Sequence, residues 1–373
     1  MKILTVFGTR PEAIKMAPLV IALNDHASIN HKLCVTGQHR EMLDQVLQLF
    51  DLTPDYDLDI MKKGQSLSEV TSRIVANLQT PLNEFQPDLI LVHGDTSSTF
   101  CSALSGYYHQ IDVGHVEAGL RTGNIFSPWP EEGNRKLVAS LAKYHFAPTE
   151  EAKQNLLNED IDPSMIFVTG NTVIDALYMI TSKIEASKEL RIRLESAFPM
   201  VNEDQRVVLI TGHRRENFGE GFENICLAIK SLSSSYPEVQ FIYPMHLNPN
   251  VRAPVEDLLS NLGNVHLIEP LGYVDFIFLM MKSDLILTDS GGIQEEAPAL
   301  GKPVLVMRDT TERPEAVKAG TVRLVGTNSS KIIQSVSLLL DNDFEYKKMS
   351  RAHNPYGDGK AVSRIISALD GGD

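Results

Sequence analysis

The chain has 373 residues, 43% of them hydrophobic, which is enough apolar surface for two cores rather than one. With 48 acidic against 34 basic residues the formal charge is −14, so the long-range field repels nucleic acid and anionic membranes. A phosphate ligand must therefore be met by local cations and backbone amides.

The first apolar run, residues 3–7, is too short for a signal peptide. Strands are predicted at 3–7, 33–36, 89–93, 113–116 and 167–169, with helices between them; Leu67, Val70, Ile74, Leu78 and Leu82 carry one clear helical stripe. A helix over 172–198 is expected to form part of a connection. The second half repeats the plan, with strands at 207–211, 239–243, 265–268, 285–288, 303–306 and 322–325. The apolar stretch 276–287 is broken by Lys282, Ser283 and Asp284, so it cannot provide the roughly 20 residues of a membrane span. Cys34, Cys101 and Cys226 are odd in number, scattered and set in apolar runs, which reads as reduced core thiols in a cytoplasmic, soluble protein.

Strands alternating with helices mean parallel sheets, and the expected fold is α/β with two doubly wound, Rossmann-like domains. The seam is expected near Gly170-Asn171, giving a first domain of residues 1–170 and a second of 171–357. A closing helix, about 358–373, is expected to rejoin the first domain after Asn354-Pro355-Tyr356-Gly357.

In such sheets ligands sit beyond the carboxyl ends of the strands, and the residues that follow the strands here are polar. The first turn, Gly8-Thr9-Arg10-Pro11-Glu12, starts a helix and is flanked by the cations Arg10 and Lys15. It lacks the Gly-x-Gly-x-x-Gly pattern, so a dinucleotide reading of this unit is weak, and no cofactor is expected. His93-Gly94-Asp95-Thr96-Ser97, His115-Val116-Glu117-Ala118-Gly119-Leu120-Arg121 and Pro130-Glu131-Glu132-Gly133-Asn134-Arg135 follow. Asp95 could simply cap the next helix, and one of Glu131 and Glu132 could be a first-turn acid that complements the helix dipole. Glu117, followed by Ala-Gly, resists such an explanation. The second half adds Thr211-Gly212-His213-Arg214-Arg215-Glu216-Asn217 and Asp289-Ser290-Gly291-Gly292-Ile293-Gln294-Glu295-Glu296, whose paired glycines let an anion approach backbone N–H groups.

These motifs, extended by Arg313-Pro314-Glu315, resemble the non-hydrolysing UDP-N-acetylglucosamine 2-epimerases over nearly the whole chain. The resemblance implies a glycosyltransferase-B type architecture with its active site in the cleft between the domains, and a homodimer. It implies that Arg10, Lys15, Ser290, Gly291, Gly292 and Arg313 hold the diphosphate, that Glu296 binds the ribose, and that the Leu271 backbone and Phe276 contact uracil. Asp95, Glu117, Glu131 and His213 match the family's chemical residues. Gln38, His39 and His246 resemble a second, regulatory nucleotide-sugar site, although Gly64 stands where some members carry an arginine.

The chemistry has its own logic, because the hydrogen on carbon 2 of the sugar lies beside no carbonyl. Departure of UDP from carbon 1 builds positive charge that acidifies it, and two proton-handling groups on opposite faces can then invert the carbon. A glycosyltransferase of the same architecture, a hydrolysing epimerase and a passive nucleotide-sugar binder are the alternatives. Product analysis separates them.

Overall fold

The computed structural model describes residues 1–37, 40–62, 64–202 and 204–371. The chain divides into two compact units, one of Met1–Ala176 with Tyr356–Asp373 and one of Leu177–Pro355.

The first unit holds a parallel sheet of β1 (Lys2–Phe7), β2 (Asn30–Val35), β3 (Tyr56–Asp57), β4 (Leu89–His93), β5 (Asp112–Val116), β6 (Tyr144–Ala147) and β7 (Ile166–Val168), in the order β3-β2-β1-β4-β5-β6-β7. The second holds β8 (Val207–Thr211), β9 (Gln240–Pro244), β10 (Val265–Ile268), β11 (Leu285–Thr288), β12 (Val304–Val306) and β13 (Val322–Leu324), ordered β10-β9-β8-β11-β12-β13 and again parallel. Strand order reverses between β1 and β4 and between β8 and β11. These are the switch points at which the chain ends of such sheets open into a crevice.

Leu4, Val6, Ile90, Val92 and Val113 pack against Ile74, Leu78 and Cys101 of the covering helices in the first core. Ile210, Phe241, Leu285 and Leu287 pack against Phe222, Ile229 and Leu339 in the second. Each such side chain contributes about 1.5–3 kcal/mol when fully buried. The three cysteines are free and buried in these layers, and burial raises the Cys101 thiol to about 11 and Cys226 to about 12.

Two strands escape the sequence reading. β3 is only two residues long, and β6, Tyr144-His145-Phe146-Ala147, carries a histidine that breaks its apolar run. The stripe from Leu67 to Leu82 is two helices, Leu67–Asn77 and Gln79–Phe85, because Pro81 has no N–H to continue the ladder and suits a new first turn. The segment expected as one helix over 172–198 is likewise two, Thr172–Ala186 and Lys188–Ala197; Ser187 starts the second by accepting the Leu190 N–H at 3.2 Å.

After Asn354-Pro355 the chain re-enters the first unit, where the Tyr356 carbonyl accepts the Asn171 N–H at 2.7 Å. The last helix, Ala361–Leu369, starts on the buried carboxylate of Asp175, which accepts the N–H groups of Ala361 at 3.2 Å and Val362 at 3.1 Å. Asp175→Ala removes both acceptors and is expected to weaken the attachment of this helix by about 1–2 kcal/mol. Amide exchange at Ala361 and Val362 should rise roughly tenfold, and unchanged exchange would show that the carboxylate does not hold the helix.

Candidate active site

In the first unit the turn after β1 lies tight against its neighbours. A side chain at Gly8 would collide with Thr36 Oγ1 and Ser98 Oγ, which are themselves hydrogen-bonded at 2.8 Å. Glu12, one turn into the helix Arg10–Asn24, is buried and reaches back to accept the N–H groups of Gly8 at 3.1 Å and Thr9 at 2.8 Å. Its other oxygen accepts the hydroxyls of Thr96 at 2.6 Å and Thr99 at 2.9 Å, so one carboxylate ties the end of β1 to the end of β4. Burial pushes its pKa up while those donors pull it back. Arg10 opens the helix, half-buried.

Glu117 follows β5 in the left-handed region, at φ 61°. A non-glycine residue there carries about 1–3 kcal/mol of backbone strain, a feature that clusters at functional sites. Its carboxylate is ion-paired with Lys15 of the first helix and accepts a 2.7 Å hydrogen bond from Asn171 Nδ2. His93 Nε2 lies 3.9 Å from the same oxygen. His93 is buried with neither ring nitrogen hydrogen-bonded, and burial outweighs the pull of Glu117 to bring its pKa down to about 4, so the ring is neutral. Burial likewise lowers His115 to about 3, although its Nε2 lies 2.7 Å from the Gly94 carbonyl, and lowers His145 to about 4.

Asp95 does not cap the next helix. Thr96 does, accepting the Thr99 N–H at 3.2 Å, and the Asp95 side chain is ion-paired with Arg135. Asn134 Nδ2 donates to the Asp95 carbonyl at 2.8 Å, which anchors the helix Glu131–Leu141 to this loop. That helix separates its two leading acids. Glu132 is fully buried and accepts the N–H groups of Thr122 at 3.1 Å and Gly123 at 3.3 Å, with Arg135 Nη1 at 3.2 Å, so it is the structural member of the pair. Glu131 is half-buried and makes no hydrogen bond or ion pair among the described residues.

In the second unit Asp289, fully buried just beyond β11, organises the loop beyond β8. One oxygen accepts the N–H groups of His213 and Arg214, each at 2.8 Å, and lies 3.3 Å from Asn217 Nδ2. The other lies 3.3 Å from His213 Nδ1. Burial lowers the His213 pKa against the pull of Asp289, and the ring stacks on His246 with centroids 5.5 Å apart. Gln38 and His39 lie outside the described residues.

Ser290 precedes the helix Gly291–Ala299 without capping it by its side chain, so the first amides of Gly291 and Gly292 are presented at a helix N-terminus. Glu296 accepts the Tyr273 hydroxyl at 2.7 Å. Arg313 is ion-paired with buried Glu295. Next to it Arg308 forks onto Glu312 at 2.7 and 3.0 Å, and this pairing holds the Glu312 carboxyl down at about 2. Leu271 and Phe276 are half-buried on either side of the start of the helix Tyr273–Lys282.

The structure thus gathers Lys15, Asp95 and Glu117 around His93, and sets His213 beside Asp289 and His246. Sequence reasoning missed the supporting residues His93, Asn171, Arg135, Asp289, Glu295 and Tyr273. Four of them stood in strand-end motifs without a role, Asn171 read only as a seam, and Tyr273 gave no signal.

Two parallel, doubly wound sheets, each with polar and charged loops at its switch point, define a glycosyltransferase-B type protein. Residues 21–370 match the family described as UDP-N-acetylglucosamine 2-epimerase. The UDP-N-acetylglucosamine 2-epimerase of Escherichia coli (strain K12) is 59% identical over 369 residues, covering 99% of this chain and 98% of its own. A crystal structure of the Neisseria meningitidis enzyme bound to UDP-GlcNAc aligns with a TM-score of 0.91 at 56% identity, with both chains fully covered. The Methanocaldococcus jannaschii enzyme in complex with UDP-GlcNAc and UDP aligns at 0.81 with 35% identity, again over both whole chains. The chain belongs to the UDP-N-acetylglucosamine 2-epimerase family.

The two acids at the helix start are expected to behave oppositely. Glu132→Ala strips three part-buried donors of their fully buried acceptor and should cost about 1–3 kcal/mol in chemical denaturation, whereas Glu131→Gln should stay within about 0.5 kcal/mol. Equal losses would show that both acids are structural.

The buried histidines set a pH dependence. Unfolded, their rings titrate near 6.5; folded, His93 and His145 take a proton only near 4. The unfolded chain therefore binds more protons between those values, so the stability these rings confer is complete above 6.5 and is lost as pH falls towards 4. The urea midpoint should be level between pH 7 and 8 and fall between 6.5 and 4. A midpoint unchanged over that interval would contradict neutral burial.

Proposed function

We propose that this chain reversibly converts UDP-N-acetylglucosamine to UDP-N-acetylmannosamine by eliminating and re-adding UDP, without hydrolysis. Family membership supports the reaction class. The observation that carries the mechanism is Glu117, a strained strand-end carboxylate ion-paired with Lys15 and hydrogen-bonded by Asn171 beside neutral His93.

In the forward direction the bond between carbon 1 and the diphosphate oxygen breaks and its electron pair leaves with UDP. A carboxylate takes the proton from carbon 2, which leaves 2-acetamidoglucal. UDP then re-adds to carbon 1 while a proton is delivered to the other face of carbon 2. Asp95, Glu117 and Glu131 are the proton-handling groups, and His213 with the nearby cations stabilises the departing diphosphate. In this reading the second unit, Leu177–Pro355, binds UDP, with Ser290, Gly291, Gly292 and Arg313 on the diphosphate; Arg10 and Lys15 are further diphosphate cations. Glu296 takes the ribose, and Leu271 and Phe276 take the uracil. With a net charge of −14, these local amides and cations have to supply the attraction for an anionic substrate.

Lys15 has two duties in this reading, since it is also ion-paired with Glu117. The buried, free cysteines suit a cytoplasmic enzyme, and the family suggests a homodimer. No helix among the described residues is long and apolar enough to cross a membrane. The ring stack of His246 on His213 supports a regulatory role for His246 through its contact with a chemical residue.

The test is turnover of UDP-N-acetylglucosamine in heavy water with product identification. Deuterium at carbon 2 of both epimers is expected; full retention of protium, or release of free sugar, would overturn the reading. Asp95→Asn, Glu117→Gln and Glu131→Gln should each lower kcat by about 100-fold or more while UDP affinity changes by less than about threefold. Near-normal turnover in any one removes that residue from the chemistry.

A further inference from the structure

We propose that Asn171 is a positioning residue for the reaction, one that fixes which oxygen of Glu117 handles the proton. The inference rests on the reading of Glu117 as a proton-handling acid.

Asn171 is buried and rigidly mounted. Its backbone N–H donates to the Tyr356 carbonyl at 2.7 Å, and its carbonyl accepts the Ile174 N–H at 3.1 Å. Its side-chain orientation follows from its partners. Oδ1 accepts the Val173 N–H at 3.1 Å, so the other end of the amide, Nδ2, is the end 2.7 Å from Glu117 Oε2.

That contact can only be donation, and Oε2 therefore offers a lone pair there. Lys15 donates to the same oxygen. Two donors occupy the lone pairs of Oε2, so proton transfer to and from the substrate falls to Oε1. The anchoring also compensates for the position of Glu117, which sits at φ 61° beyond the end of β5, where no strand pairing fixes its side chain. Tyr356 and Gly357 return from the far end of the chain to clamp the residue that aims the carboxylate, and Gly357 Cα packs so close that a Cβ at Gly170 would lie 3.4 Å from it. A mount of this kind holds a reacting group within a fraction of an ångström.

Asn171→Asp is the informative variant, because it keeps an oxygen for the Val173 N–H and places a second carboxylate against Oε2. Among the described residues, the charged and titratable groups facing Glu117 then include Lys15 from the first helix, His93 from β4 with Asp95 beyond it, and the new acid. Two carboxylates at hydrogen-bond distance share a proton, so the acidic limb of the pH profile of kcat/KM should move up by about one unit or more. Asn171→Ala should lower kcat by roughly 10–100-fold with UDP affinity within about threefold.

Glu117→Gln is assayed alongside. If it turns over normally, the role of Glu117 itself fails. If it is slow but Asn171→Asp leaves the acidic limb in place, or Asn171→Ala loses UDP affinity in step with kcat, only the inference about Asn171 is overturned.

Discussion

A carboxylate held almost out of water beside a lysine is the interaction on which the first unit turns. The Glu117 side chain is 9% exposed and that of Lys15 is 15%, so neither charge has enough solvent to stand alone. Removing one partner of such a pair leaves an uncompensated charge worth about 3–5 kcal/mol. The pairing also requires that the residues following β1 and β5 emerge on the same edge, which a parallel sheet provides. The strained backbone of Glu117, the tight turn at Gly8 and the neutral ring of His93 all belong to that edge.

The two units build their switch points by a shared device. In the first, Glu12 beyond β1 accepts the hydroxyls of Thr96 and Thr99 beyond β4. In the second, Asp289 beyond β11 accepts the backbone N–H groups of His213 and Arg214 beyond β8. Each uses one buried carboxylate, accepting from neutral donors, to tie together the loops on either side of the reversal in strand order. Such an acceptor leaves the loop cations to other work. Arg10 is not spent on holding the first turn, and Arg308, with Glu312 and Glu216, braces the segment leading to Arg313. The proposed substrate-binding side chains are thus mounted on loops tied down by hydrogen bonds, as the proposed stabilisation of a departing diphosphate would require.

The motifs were legible because they are local. Strand-end polarity, paired glycines and a histidine followed by arginines survive as strings of letters, and so the family and most of the proposed site residues could be named from them. The alternation of apolar runs with helical stripes was enough for two parallel sheets. A two-residue strand such as β3 and an interrupted one such as β6 carry too little periodicity to register, and Pro81 and Ser187 divide helices whose apolar stripe runs on without a break.

By itself the sequence determined the fold class, the family and the candidate acids, because these depend on composition and short-range pattern. Only the tertiary structure decided which partners each acid has. Glu131 and Glu132 are neighbours with identical chemistry, and a helical turn of about 100° per residue sends one into a set of donors and leaves the other without a side-chain partner among the described residues. Asp95 turned from a plausible cap into the partner of Arg135, forty residues on, and Asn171 from a seam into the donor that aims Glu117. These assignments depend on distance in space between residues far apart in the chain, which no local pattern encodes.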